Sequence, residues 1–169
     1  MFLTDGSKRY NCTIIDLHER IVIASITDKH ITADLAKRTL QKAISSQPGL
    51  DTSQLILHSD QGSQFTSDKY IEFIRNSGIR QSMDGKSRWA DNIMIERWFR
   101  SFKYEEAYLT EYANLKEARE AIGRYIYTYN FERCHQSIGN KRPAEVYYPV
   151  MLLDCLLYTS PSPRDTERS

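Results

Sequence analysis

Two stretches near the amino end, residues 8 to 17 (KRYNCTIIDL) and 20 to 27 (RIVIASIT), are dense in β-branched and apolar residues and are separated by a short polar turn. Such side chains are stiff in a helix and pack well on a pleated surface, so the spacing predicts two antiparallel strands. Ahead of them Asp5-Gly6 is a strong turn dipeptide, which predicts an edge hairpin and makes Asp5 a structural residue. A helix follows: from Thr32 to about Ser46, Ala33, Ala36, Leu40, Ala43 and Ile44 recur at helical spacing, with Thr32 as a possible cap. Gln47-Pro48-Gly49 breaks that pattern, and Leu55-Ile56-Leu57-His58 is then a short apolar run ending at Ser59-Asp60. Strands, helix and strand in that order predict an α/β domain.

The remainder of the chain is mainly helical. Residues 67 to 77 predict a helix with Tyr70, Ile71 and Ile74 inward, Ile79 to Met83 a short strand, and Asp84 to Trp89 a loop. Asp91-Asn92 offers side-chain oxygens that cap a helix start, and a long helix is predicted from there to about Tyr108. Within it Ile95, Trp98, Phe99 and Phe102 form the apolar stripe, while Glu96, Arg100 and Lys103 lie on a different face. A last helix, about Leu115 to Glu132, buries Leu115, Ala118, Ile122, Tyr125, Ile126 and Tyr129, and the segment PAEVYY from Pro143 packs back on the domain.

A chain of 169 residues suits one domain with a real core. Its 40% hydrophobic and 27% charged content is ordinary for a soluble protein, and no apolar run approaches a membrane span. The first residues do not read as a secretory signal, so a cytosolic site is expected. Cys12, Cys134 and Cys155 lack the spacing of a zinc site or disulfide framework. The net charge of +1 conceals a basic stretch from Lys86 to Arg142, which suits a polyanion or equally a solvated helical surface, since glutamates are interleaved.

Two acids carry the chemistry. Asp60 falls at the carboxyl end of a strand, where open α/β sheets leave a crevice, inside the motif HSDQGSQF. Glu96 follows thirty-five residues later inside ADNIMIERWFRSFKYEE. A hard cation such as magnesium takes one or two carboxylates plus phosphate oxygens, so acids from separate elements can complete one site. Each acid also has a plain structural role open to it: an aspartate after a strand makes an Asx turn, and a first-turn glutamate meets the helix dipole. Asp91 and Asn92 read mainly as caps, though Asn92, four residues before Glu96, can face the same cleft. His58 and His135 read as structural, and Trp89 as packing or as a base-stacking ring.

Taken together, LILHSDQGSQFTS, QSMDGKSRWADNIMIERWFRSFKYEEAYL and YIYTYNFERCHQSIGNKRPAEVYY closely resemble the catalytic core of bacterial insertion-sequence transposases of the IS-three type, over roughly residues 2 to 150. That resemblance implies a ribonuclease-H-like fold, a mixed sheet flanked by helices, similar to retroviral integrases. It also implies a DDE acid triad using two magnesium or manganese ions to cleave and join DNA strands at the ends of the element and at its target, in a self-associating bacterial cytoplasmic enzyme. Asp60 matches the second acid and Glu96 the last, with Arg100, Lys103, Lys86 and Asn92 as DNA contacts. Cys134 stands where many relatives have proline, which affects a turn.

The first acid of that family lies in a Thr-Asp-x-Thr-Tyr motif some eighteen residues before the aspartate matching Asp16, which places it slightly upstream of Met1. The expectation is therefore a core with its first strand mostly missing, a truncated and inactive fragment of a DNA transposase. A non-catalytic DNA-binding or assembly fragment and a ribonuclease-H-like nuclease are the alternatives. CLLYTSPSPRD, residues 155 to 165, resembles the translation of a transposon-end adapter used in sequencing libraries, so residues 155 to 169 are expected to be an artefact or a disordered tail.

Overall fold

The computed structural model of the chain describes residues 1–83 and 93–148. The expected loop with Lys86 and Trp89, the helix-capping Asp91 and Asn92, and the tail from residue 155 lie outside the described residues.

Strands β1 (Tyr10–Ile15) and β2 (Val22–Asp28) pair antiparallel, from Tyr10 opposite Asp28 to Ile15 opposite Val22, with an irregularity at Ile14/Ile15. The Asp16 carboxylate shapes the turn between them by accepting the N–H groups of His18 at 2.8 Å and Glu19 at 2.7 Å, and Arg20 closes it at a φ of 66°. The predicted edge hairpin is present: Phe2 bridges Lys8 antiparallel, and Met1 and Arg9 exchange backbone hydrogen bonds of 2.8 and 3.2 Å. At its tip Asp5 accepts the Ser7 N–H at 2.8 Å, while Gly6 takes a φ of 74°, a left-handed conformation that glycine adopts without a Cβ clash.

Helix α1 (Ala33–Ser45) starts where its sequence predicts, the Thr32 hydroxyl accepting the Leu35 N–H at 3.1 Å. Its buried face, Leu35, Ala36, Thr39, Leu40 and Ala43, packs on both β1 and β2. Strand β3 (Ile56–Ser59) runs parallel to β4 (Arg80–Met83), with Ile56 opposite Arg80 and Ser59 opposite Met83. Parallel neighbours need a crossover. Here it is a short helix α2 (Ser63–Thr66), not foreseen from sequence, and α3 (Asp68–Asn76), whose Tyr70 and Ile74 are buried against Ala36 and Leu40.

Helix α4 (Ile93–Phe102) continues into a π-helical turn, Lys103–Ala107. Trp98 and Phe102 are buried as predicted, whereas Ile95 and Phe99 are only half-buried. Helix α5 (Leu115–Tyr127) has a reciprocal cap: the Asn114 side chain accepts the Glu117 N–H at 3.0 Å, and Glu117 accepts the Ala113 N–H at 2.8 Å. It too ends in a π turn, Thr128–Glu132, which carries Tyr129 and Asn130 into the core. A short α6 (Pro143–Tyr147), opened by proline and with Pro143 and Ala144 buried, packs against that turn.

Two apolar clusters result. Val22, Trp98, Phe102, Ile122 and Tyr129 join β2 to α4 and α5; Ala36, Leu40, Tyr70, Ile74 and Ile79 join α1 to α3 and β4. β1 serves both, through Ile15 on the first and Cys12 and Ile14 on the second. The four strands form two separate two-stranded sheets among the described residues, β1 with β2 and β3 with β4.

Candidate active site

β1 and β3 each have one unpaired edge, and residues of both line a single cleft of about 1000 Å³. Its interior is apolar, with Ile14, Leu57 and Leu40 among its walls; Asp60, Glu96, Arg100 and Lys103 lie in the same lining.

Asp60 is there because β3 ends at the buried Ser59 and releases the chain to solvent one residue later. Its Oδ1 accepts the Gly62 N–H at 2.9 Å, an Asx turn that fixes the carboxylate's orientation through one oxygen. Glu96 is in the first turn of α4, two residues before the buried Trp98, and is exposed. It has no hydrogen-bond or ion-pair partner among the described residues. Two exposed carboxylates on separate elements, with oxygens free to ligate, fit a hard divalent cation by donor chemistry. Among the described residues no group of three or more His, Cys, Asp and Glu side chains converges as a metal site. Asp5 does not line the cleft; it is the turn residue its dipeptide predicts.

The basic stretch resolves into two kinds of residue. Arg119 donates twice to the Thr27 carbonyl, at 2.9 and 3.0 Å; Arg133 pairs with Glu105, and Arg142 with Glu145. These cations are engaged by groups of the domain itself. Arg100 and Lys103 face the cleft and form no ion pair among the described residues. Lys86 and Asn92, the other two expected DNA contacts, lie outside the described residues. His58 sits opposite Ser82 across the β3–β4 pair, its Nδ1 3.2 Å from Ser82 Oγ. His135 stacks edge-on to Tyr129 with centroids 4.5 Å apart, and burial pushes its pKa below the ordinary histidine value. His135 packs on Tyr129 and is not among the residues lining the cleft, whereas His58 lines it while its ring meets Ser82.

Two aromatic residues escaped the sequence reading. Tyr104 and Tyr108 line the cleft beside Arg100, and both rings are exposed. The signal was present in the spacing, since Glu96, Arg100, Tyr104 and Tyr108 fall four residues apart.

Antiparallel and parallel strand pairs flanked by helices, with an acid at a strand's carboxyl end and another on a helix lining the same cleft, fit a ribonuclease-H-like domain. Two family profiles, both described as Integrase core domain, match residues 2–88 and 77–143, and the chain belongs to that family. Over 144 residues it is 31% identical to InsK of insertion sequence element IS150 from Escherichia coli strain K12, covering 85% of this chain and 50% of InsK. It is 37% identical over 100 residues to the transposase for insertion sequence element IS904 from Lactococcus lactis, covering 59% of this chain and 38% of that protein. The chain thus spans about half the length, or less, of these relatives. The catalytic core domain of BIV integrase shares the fold with a TM-score of 0.65 at 19% identity, over 92% of this chain and 93% of that one. No helix among the described residues is long and apolar enough to cross a membrane.

Proposed function

We propose that this domain supplies two of the acids with which a bacterial insertion-sequence transposase cleaves DNA at the element's ends and joins it to a target. The observation that carries the reading is that Asp60 and Glu96 line one cleft together with Arg100 and Lys103, which have no ion-pair partner among the described residues. Asp60 and Glu96 would each give carboxylate oxygens to magnesium or manganese, and the Asx turn at Gly62 keeps Asp60 aimed while it does so. Arg100 and Lys103 would hold the phosphate backbone against the two acids. Held by Asp60 and Glu96, such a cation would supply Lewis-acid chemistry for in-line displacement at a phosphodiester. Self-association of the intact protein and action in the bacterial cytoplasm are part of the same proposal.

The gap between the two sheets supports a second element of the reading, a third acid from outside the described residues. Arg9, next to the regular part of β1, exchanges both backbone hydrogen bonds with Met1, so odd-numbered residues there face the open edge and even-numbered ones β2. A strand continuing the ladder upstream of Met1 would enter the cleft between β1 and β3, with its third added residue opposite Cys12. Asp60 bears electrostatically on the Cys12 thiol, whose pKa is raised first by burial and then by that charge. An acid carried there would stand beside the Asp60–Glu96 pair.

The test is magnesium-dependent strand transfer with element-end DNA. A protein extended upstream of Met1 should be active. Asp60→Asn or Glu96→Gln should then abolish transfer. Activity of the chain alone that disappears on Asp5→Asn would show the register to be wrong.

A further inference from the structure

We propose that Tyr104 and Tyr108 form a stacking rail for unpaired bases at a DNA end, leading away from Glu96 along the cleft. The proposal rests on the DNA reading above and assigns rings that the acid site does not use.

Residues four apart on a helix are neighbours on one face, so Glu96, Arg100, Tyr104 and Tyr108 make a continuous row. All four line the cleft. The row crosses from α4 into the π turn, which the Tyr108 N–H closes on the Lys103 carbonyl at 2.9 Å. Single π turns within helices are frequent at functional sites.

The two rings are 64% and 67% exposed and meet edge-to-face at 5.5 Å, with an interplanar angle of 88°. The Arg100 guanidinium lies 6.0 Å from the Tyr104 ring centroid. Its charge has no carboxylate partner among the described residues, so the row offers a cation for a phosphate followed by two aromatic faces. Alternating cations and aromatic rings of this kind bind single-stranded nucleic acid, because every base has a π face.

Spacing selects unpaired over paired DNA. The two ring centroids lie 5.5 Å apart, well beyond the roughly 3.4 Å step of stacked bases in a duplex. A base meets one of these rings only after leaving its stack. The row begins at Glu96, so bases held on it would anchor a frayed strand beside the two acids.

The experiment is fluorescence anisotropy with the 169-residue chain and two labelled oligonucleotides at one salt concentration, a blunt duplex and the same duplex with a short 3′ overhang. The overhang should bind about tenfold more tightly, since stacking contributes a factor of that order per base. Tyr104→Ala with Tyr108→Ala should remove the preference and leave duplex binding within about twofold, whereas Tyr104→Phe with Tyr108→Phe, which keeps both ring faces, should retain it. An undiminished overhang preference in the alanine pair overturns the proposal and leaves the DNA reading standing. So does loss of self-association, measured by sedimentation, with overhang binding intact, which would make these rings a protein contact. Failure of the unaltered chain to bind either oligonucleotide overturns both readings.

Discussion

Asn130 should be among the most sensitive positions in the domain. It is 5% exposed at the π turn after α5, and its side chain acts as a strand residue toward β2: Oδ1 accepts the Val22 N–H at 2.9 Å and Nδ2 donates to the Val22 carbonyl at 2.9 Å. Val22 itself is buried and packs against Trp98 and Phe102 of the helix that carries Glu96. Asn130→Ala strips partners from two buried backbone groups, each costing about 1–3 kcal/mol when left unsatisfied. A water entering the vacated space would recover part of that, which places the loss at about 2–4 kcal/mol. Against a domain stability of roughly 5–15 kcal/mol, the variant should unfold at much lower denaturant.

Urea unfolding followed by tryptophan fluorescence reads this directly, because Trp98 lies in the same cluster. Asn130→Asp sharpens the test. Above its pKa the introduced carboxylate keeps the acceptor for the Val22 N–H but repels the Val22 carbonyl; once protonated it can donate as the amide did. Its folded pKa is therefore raised, so stability should be regained as pH falls and lost as pH rises through that value. A loss below about 1 kcal/mol for Asn130→Ala, or no pH dependence for Asn130→Asp beyond that of the parent, would refute the reasoning.

Two further outcomes follow from the described contacts. Burial depresses the His135 pKa, so the unfolded state binds its proton more readily; the native state loses stability as pH falls from the unfolded value near 6.5 through the depressed folded one. Comparing unfolding at pH 7.5 and 5.5 for the parent and for His135→Gln should show the larger acid-side loss in the parent, and equal losses would contradict this account. Arg100→Ala and Lys103→Ala should each weaken DNA binding and reduce the slope of log K against log salt by about one unit, while Arg119→Ala should lower stability and leave that slope alone. A salt titration showing the reverse would misassign the cleft cations.

The parts of the fold that local chemistry decides were legible in the sequence. Thr32 and the Ala33–Ile44 spacing mark α1, the run before Asp60 marks β3, and Asp5-Gly6 marks a turn, because each signal acts over a few residues. What depends on distant partners was not. Asn130 gives no local sign of pairing with a strand 108 residues away, and Arg119, Arg133 and Arg142 look like a basic face until Thr27, Glu105 and Glu145 are seen beside them. The π turn after Phe102 replaces the uninterrupted helix expected to Tyr108, and the Glu96–Tyr108 row crosses that change of helix type. Asp60 and Glu96 stood out through their motifs; their common cleft required the packing of α4 on β2 and of α1 on β1, β2 and α3.

The central claim is that Asp60 and Glu96 share a divalent cation. Manganese binding, followed by electron paramagnetic resonance on the upstream-extended protein, tests it most directly. The account predicts bound manganese that magnesium displaces and that is lost on either Asp60→Asn or Glu96→Gln. Undiminished binding in both variants would place the cation elsewhere and contradict it.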